Sequence, residues 1–304
     1  MSFFRYLGSV GLAFLVLPVA QGKSPCPANV TSLPLRLIQS SLIVVSVRIN
    51  HSGPYDFVVD TGAQISTVDT SLASELRLKT EGTTGSGGVA TFSRGEFVHL
   101  ELLEAGERSV TDSLAIVRDI DDLRAADPLV RGILGDSFLE HFDLLIDNRR
   151  KILCLDDTNS LALTFKSEHI DLAVPLGSDR DLPFTRPLVV AVRVAGSADT
   201  PILLRLDSGS NAPVLYTPPP RFMNVAGEHT SPLARVVSGS KQRFQVLPTM
   251  DLQIGKHTVP QVAFAVPMNS VGGPSAREHG ILPTMAFQRV FISSKRHYAA
   301  MESW

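Results

Sequence analysis

Apolar runs separated by short turn sequences dominate the chain. Leu42–Ile49 is rich in Val and Ile, and Tyr55–Asp60 follows after the turn-forming residues His51-Ser52-Gly53-Pro54, a pattern that predicts a β-hairpin. Helical spacing is confined to Ser71–Leu78 and Asp136–Phe142. Further strands are predicted at Val89–Phe92, Phe97–Leu103, Ser113–Val117, Leu144–Ile146 and Ile152–Leu155. The pattern indicates an all-β fold with a few short helices.

Much of this pattern occurs twice. Three segments recur in the same order at offsets of 145 to 148 positions: Val44–Ile49 as Val189–Val194, Phe57–Ala63 as Leu204–Ser210, and Arg131–Gly135 as His279–Pro283. Ordered matches at a nearly constant offset predict two copies of one unit of about 120 residues.

The N-terminal 22 residues have the features of a signal peptide. Arg5 supplies a positive charge, Leu7–Ala20 is apolar, and Ala20-Gln21-Gly22 has the small-x-small pattern of a signal-peptidase site. The apolar stretch is short for a membrane span, although an uncleaved anchor is the alternative. The mature protein is therefore expected to be secreted or periplasmic, without stable membrane insertion.

The rest of the chain is predicted to form two lobes. The first lobe is expected over residues 23–156, the second over residues 185–304, and a mixed polar connection over residues 157–184. Only residues 23–35 precede the first copy, so no long inhibitory prosegment is expected.

The composition of the chain argues against several functional classes. With 44% apolar and 19% charged residues the chain can bury a sizeable core, which excludes a disordered chain. The formal net charge is −2, and one Trp with four Tyr offers little for base stacking, so no nucleic-acid partner is expected. Because export leads to an oxidising compartment, Cys26 and Cys154 either form a disulfide or remain unpaired or buried thiols.

Two aspartates are the candidate catalytic residues. Asp60 and Asp207 each end an apolar strand and are followed by a hydroxyl residue and a glycine. A single Asp-x-Gly is usually a turn, but a carboxylate at the end of a buried strand is costly unless it is hydrogen-bonded or paired. If the copies pack about a pseudo-twofold axis, the two loops meet and the carboxyls share one proton.

These motifs resemble a known family. Asp60-Thr61-Gly62-Ala63, followed by Gly132-Ile133-Leu134-Gly135, resembles the retropepsin-like aspartic peptidase unit. Asp207-Ser208-Gly209-Ser210 with Gly280-Ile281-Leu282 resembles a second unit, in which Pro283 replaces the final glycine. The chain as a whole is similar to bilobal, single-chain aspartic peptidases. That resemblance implies two pseudo-twofold-related β-barrel lobes with short helices.

The resemblance also implies roles for the motif residues. Asp60 and Asp207 would be catalytic, one carboxyl activating a water and the other protonating a carbonyl oxygen. Thr61 and Ser208 would hydrogen-bond across to the opposite loop. Gly62 and Gly209 would allow the backbone to approach the carboxyl groups closely. Ser210 would donate a hydrogen bond to Asp207, and Asp207 would then carry most of the negative charge. No metal or other cofactor is implied.

Three further expectations concern the cleft. The turn Gly85-Ser86-Gly87-Gly88 would be the tip of a flap, with an ordinary hairpin loop as the alternative. Ser238-Gly239-Ser240 occupies the similar position in the second copy. Arg205, two residues before Asp207, is expected to point away from the core by strand alternation.

The function expected from these observations is that of an exported aspartic endopeptidase that acts as a monomer on an extended peptide or protein. The alternatives are a non-catalytic peptide-binding module on the same fold, or units that act as a homodimer. The sequence has no His-Glu-x-x-His and no Gly-x-Ser-x-Gly, which argues against a zincin or an α/β-hydrolase. Gly135-Asp136-Ser137-Phe138 only superficially resembles a serine esterase block, because no Asp-x-x-His follows near the C-terminus.

Overall fold

The computed structural model describes residues 26–87, 92–173, 188–195, 200–216, 232–237, 240–268 and 278–304. These residues form an all-β fold with a few short helices, which confirms the predicted fold class. Within these ranges no helix combines the length and apolar character needed to cross a membrane. The predicted signal peptide at residues 1–22 lies outside the described residues.

The first half of the chain contributes eleven described strands and four helices. The strands are β1 Thr31–Pro34, β2 Arg36–Ile38, β3 Leu42–Ile49, β4 Ser52–Val59, β5 Ser66–Asp69, β6 Thr80–Gly87, β7 Phe92–Ala105, β8 Arg108–Arg118, β9 Val130–Leu134, β10 Asp143–Asp147 and β11 Ile152–Asp156. The helices are α1 Thr70–Glu75, α2 Asp121–Ala126, α3 Asp136–Leu139 and α4 Ser160–Thr164.

In the second half, the described residues form twelve strands and a 3₁₀ helix, Thr284–Ala286. The strands are β12 Ile170–Asp171, β13 Val189–Val194, β14 Ile202–Asp207, β15 Val214–Leu215, β16 Pro232–Val237, β17 Ser240–Val246, β18 Met250–Ile254, β19 His257–Val262, β20 Ala265–Pro267, β21 Gly280–Pro283, β22 Arg289–Ser293 and β23 Tyr298–Glu302.

Each half has one curled sheet. The first sheet has the order β2-β3-β4-β9-β5-β8-β7-β6 with an additional β3–β7 pairing, and the second has the order β16-β17-β20-β15-β21-β14-β13-β18-β19. In both sheets the strand that leads to an aspartate is paired in parallel with a Gly-Ile-Leu strand: β4 with β9, and β14 with β21. The two halves therefore present their aspartate loops in the same local setting.

A third sheet, with the order β1-β11-β10-β22-β23-β12, contains strands of both halves. The halves join where β10 pairs with β22 in antiparallel register, with Leu145 opposite Phe291. All five residues of β10 are buried because both faces of this sheet are covered. Leu144 and Ile146 belong to the main core, whereas Leu145 packs on the other face with Cys26 and Cys154.

The structure resolves the alternatives that the sequence left open for the cysteines. Cys26 and Cys154 form a disulfide that ties the segment before β1 to β11. Both residues are buried within the second apolar cluster, which also contains Phe165, Phe291 and Tyr298. The bridge therefore fixes the N-terminal segment onto the sheet that joins the two halves.

Several predicted elements differ in extent from those observed. The predicted turn Gly85-Ser86-Gly87-Gly88 is in part a strand, because β6 continues through Gly87, and residues 88–91 lie outside the described ranges. The first hairpin turns at Asn50 and His51, which adopt positive φ, so β4 begins at Ser52, inside the predicted turn. The predicted connection at 157–184 includes α4 and β12, and its residues 174–184 lie outside the described ranges.

Candidate active site

The structure brings Asp60 and Asp207 together, and we refer to these two residues as the carboxyl pair. A Cβ atom built on Gly62 would lie 2.6 Å from Oδ2 of Asp207, and one built on Gly209 would lie 2.6 Å from Oδ1 of Asp60. Each carboxyl group therefore packs against the glycine of the opposite loop, at a distance that no larger residue permits. The two loops face each other in the arrangement expected of a pseudo-twofold pair.

A reciprocal set of hydrogen bonds joins the two loops. The Thr61 N–H donates to Oγ of Ser208 at 3.1 Å, and the Ser208 N–H donates to Oγ1 of Thr61 at 3.0 Å. The Thr61 hydroxyl donates to the Leu206 carbonyl at 2.9 Å, and the Ser208 hydroxyl donates to the Val59 carbonyl at 2.8 Å. Both hydroxyl residues are buried, so water cannot replace these partners.

Each carboxyl also accepts a hydrogen bond within its own loop. The Gly62 N–H donates to Oδ1 of Asp60 at 2.8 Å, and the Gly209 N–H donates to Oδ1 of Asp207 at 2.7 Å. The Asp60 N–H donates to the Leu134 carbonyl at 3.0 Å, which anchors the first loop on β9. The Gly-Ile-Leu segment of β9 therefore supports the first loop, and in the second half Asp207 lies opposite Pro283 of β21.

Burial dominates the protonation of the carboxyl pair. It raises the pKa of Asp60, which the Gly62 N–H partly counteracts. It raises the pKa of Asp207 well above its ordinary value, and the negative charge of Asp60 adds to this effect. Two neighbouring carboxyls that are largely shielded from water cannot both ionise easily. The pair therefore favours a singly protonated state, the form that can both activate a water and protonate a carbonyl oxygen.

The predicted contact of Ser210 is wrong. Its hydroxyl donates to the carbonyl of Ala212 at 2.9 Å, two residues further along its own loop. The hydroxyl thus satisfies a local turn, as Ser side chains commonly do, and does not serve the Asp207 carboxyl. The expectation that Ser210 makes Asp207 the more charged member has no structural basis.

Arg205 points to the predicted face of β14, but that face is covered rather than open to solvent. Its side chain is only 20% exposed and donates through Nη1 to the carbonyl of Gly62 at 2.8 Å. Its Nη2 pairs with Oε1 of Glu278 at 2.5 Å. Strand alternation does put Arg205 on the face opposite Leu204 and Leu206, but the other half of the molecule covers that face.

The flap prediction is tested only in part. Gly85, Ser86 and Gly87 lie in β6, and Gly87 pairs with Phe92 at the end of the β6–β7 hairpin. Gly88 lies outside the described residues. The second predicted turn falls between β16 and β17, where Ser240 begins β17 and positions 238–239 are outside the described residues. A flap role for either hairpin remains a prediction.

Sequence reasoning missed four ionisable residues around the carboxyl pair. Burial raises the pKa of Asp136 well above its ordinary value, and the charge of Asp60 raises it further. Burial lowers the pKa of Arg118, while the charge of Asp60 opposes this effect. Burial raises the pKa of Tyr216. Arg118 ends β8, and Glu278 and Tyr216 lie beside strands of the second sheet, so long-range pairing brings these three residues here. Asp136 instead directly follows the Gly132-Ile133-Leu134-Gly135 motif.

The esterase-like block does not form a second candidate catalytic site. Ser137, from the esterase-like block, accepts a hydrogen bond from the Ser66 N–H at 2.9 Å and donates to Oγ of Ser66 at 3.0 Å. It is buried and has a structural role beneath the first loop. Within the described part of the chain, no group of three or more His, Cys, Asp or Glu side chains is arranged to hold a metal ion.

Comparison with known proteins agrees with this geometry. Residues 45–138 match the model of a family described as aspartyl protease. No curated protein matches the chain. The matched segment runs from β3 into α3 and includes Asp60, its loop and the supporting β9 strand. Residues 45–138 are thus similar to an aspartyl protease unit, and the match supports a protease, and therefore a hydrolase, function.

Proposed function

We propose that this protein is an exported aspartic endopeptidase in which Asp60 and Asp207 form the catalytic pair. The observation that carries the proposal is the packing of each carboxyl against the glycine of the opposite loop. One ionised carboxyl takes a proton from a water held between the two groups. The other, protonated carboxyl donates to the oxygen of the scissile carbonyl as the water attacks.

The shape of the site favours an extended substrate. Asp60 is only partly buried, and β6, which pairs with β7, forms an edge of the first sheet. A peptide in extended conformation can add strand-like hydrogen bonds to such an edge. Binding along the backbone on both sides of the scissile bond corresponds to cleavage within a chain rather than at its end.

Both aspartates come from one chain, which supports action as a monomer. The ladder between β10 and β22 and the Thr61–Ser208 exchange provide the contacts that a homodimer would otherwise supply. Specific activity should therefore stay constant on dilution. A steep loss of specific activity at low protein concentration would instead support pairing between chains.

The disulfide supports export. Disulfides such as Cys26–Cys154 persist in oxidising compartments and are rare in the cytosol. We expect cleavage after Gly22, so that the mature protein starts at Lys23. Intact mass measurement of the protein recovered outside the cytosol tests this, and a mature N-terminus beyond residue 35 would reveal a removed prosegment instead.

The decisive experiment measures cleavage of a denatured protein substrate by the purified protein between about pH 3 and 7. Cleavage should be lost in Asp60→Asn and in Asp207→Asn and retained in Asp171→Asn, an exposed aspartate at the end of β12. Peptide binding without cleavage at any of these pH values would support the non-catalytic module. Equal activity in all three variants would refute the assignment of the pair.

A further inference from the structure

A buried ion pair lies beside the carboxyl pair. Arg205 is two residues before Asp207 on β14, and Glu278 is two residues before Gly280, the first residue of β21. The two strands are parallel neighbours with Leu204 opposite Gly280, which brings the guanidinium and the carboxylate to 2.5 Å. Their side chains are 20% and 6% exposed.

The corresponding positions in the first half are apolar. Val58 lies two residues before Asp60, and Val130 lies two residues before Gly132. Both valines are buried, at 2% and 0% exposure, in an apolar cluster. Replacing a buried ion pair by well-packed apolar residues is often neutral or stabilising. The fold can therefore accommodate apolar residues at this position, and of the two halves it has charged residues there only in the second.

The second arm of Arg205 crosses to the other aspartate loop. Its Nη1 donates to the carbonyl of Gly62 at 2.8 Å, and the N–H of the same Gly62 donates to Asp60 at 2.8 Å. From the strand that carries Asp207, Arg205 therefore holds the carbonyl end of the same glycine whose N–H is bonded to Asp60. The first half offers no such contact, because the side chain of Val58 has no hydrogen-bond donor.

Arg205 also places positive charge at the carboxyl pair. Its charge lowers the pKa of both Asp60 and Asp207 and so opposes burial. The other charged or titratable groups facing this region are Arg118 from β8, Asp136 from α3, Tyr216 after β15 and Glu278. Glu278 is the direct counter-ion of Arg205, so it limits how much positive charge the pair experiences.

We propose that Arg205 is a positioning residue for the catalytic pair, that it holds the Asp60 loop through Gly62, and that Glu278 sets how much of its charge the pair experiences. The proposal rests on the proposed aspartic peptidase function and deepens it. It assigns an asymmetric role to two residues outside the Asp-x-Gly motifs.

Opposite shifts in the pH profile follow from this role. In Glu278→Gln the amide oxygen still accepts a hydrogen bond from Arg205, but no negative charge balances the guanidinium. The acid and alkaline limbs of the pH–activity profile should therefore both move to lower pH. In Arg205→Val/Glu278→Val, which copies the pair of the first half, the net attraction is lost and both limbs should move to higher pH. Each shift should be about half a unit to one unit.

A third variant separates charge from geometry. Arg205→Lys keeps the positive charge but cannot reach two partners with a rigid fork. It should keep the profile near its original pH, with kcat lowered more than KM is raised. The matched control is Arg289→Val/Glu302→Val, which removes the Arg–Glu pair at 2.5 Å between β22 and β23. That control can change stability but should leave the pH profile in place.

The experiment records kcat and kcat/KM against pH for the wild-type protein and these variants. In parallel, ¹³C NMR of aspartate carboxyls follows the titration of the pair directly, assigned with Asp60→Asn and Asp207→Asn. If the wild-type protein cleaves no substrate, the proposed function fails, and the NMR titration still tests whether Arg205 and Glu278 move the pair. Profiles or titrations that stay in place, or move in the same direction in Glu278→Gln and the double valine variant, would overturn the proposal.

Discussion

Thr61 and Ser208, which are 147 positions apart, each donate a backbone N–H to the side-chain oxygen of the other. Their hydroxyls continue to the Leu206 and Val59 carbonyls, at the ends of β14 and β4. The exchange couples the two aspartate loops directly, so the distance between the two carboxyls is fixed by buried hydrogen bonds rather than by packing alone.

Loss of one of these hydroxyls should weaken both stability and catalysis. Ser208→Ala leaves the Thr61 N–H and the Val59 carbonyl buried without this partner, which should lower the free energy of unfolding by about 1–3 kcal/mol. Urea unfolding measures this effect, and kcat should fall at the same time because the loops lose their register. Thr61→Ser, which keeps the hydroxyl, and the surface change Ser41→Ala should both remain near wild type.

The two motif glycines should tolerate no side chain. In Gly62→Ala the new Cβ would meet Oδ2 of Asp207 at 2.6 Å, so the carboxyls must move apart. A displacement of that kind should lower kcat at least about a hundredfold. Gly209→Ala should behave alike, since its Cβ would meet the Asp60 carboxyl. Gly82→Asn is the control, because a side chain there meets nothing within 4 Å. Full activity of Gly62→Ala would show that the loops are less closely packed than described.

The disulfide should make a large contribution to stability. It closes a loop of 128 residues, for which the chain-entropy model gives about 4–5 kcal/mol. Cys26→Ala/Cys154→Ala should lower the free energy of unfolding by an amount of this order in urea unfolding. A thiol assay on the unfolded, unreduced protein should find no free thiol, and two thiols would contradict the bridge.

The carboxyl pair should make stability fall as pH rises. Burial raises the pKa of Asp207 well above 3.8, so between the unfolded and folded pKa values the native state binds more protons than the unfolded state. Stability is then greatest below the unfolded pKa and is lost as pH rises through the folded one. Urea unfolding at several pH values should show Asp207→Asn gaining stability relative to wild type as pH rises from about 4. A constant difference would argue against a raised pKa.

Local sequence patterns predicted the elements that depend on local chemistry. Leu42–Ile49 is a strand with the predicted bounds, because its run of Val and Ile fits a buried pleated surface. The helix predicted from Ser71 forms over Thr70–Glu75, with Asp69 as its N-cap. The segment Gly85–Gly87 is predicted as a turn because glycines favour turns in isolation, whereas pairing with β7 holds this segment in a strand.

The position of Arg205 shows where local reasoning stops. Alternation along β14 gives the face correctly but does not reveal what covers it. The repeat contains a usable signal, since the residue at the equivalent position is Val58, whose apolar character indicates a buried face. The hydroxyl of Ser210 is a similar case, because its choice between the Asp207 carboxyl and the Ala212 carbonyl depends on loop geometry.

The shared six-stranded sheet also sets an order of events during synthesis. The β22–β23 hairpin lies between β10 and β12, so two strands of residues 143–171 remain without these neighbours until residues 289–302 have left the ribosome. The ladder that holds the halves together therefore forms after nearly all other strands have been made. A nascent chain carries Asp60 long before Asp207 and the closing hairpin can reach it. A nascent chain that has not yet reached Asp207 therefore lacks one half of the carboxyl pair.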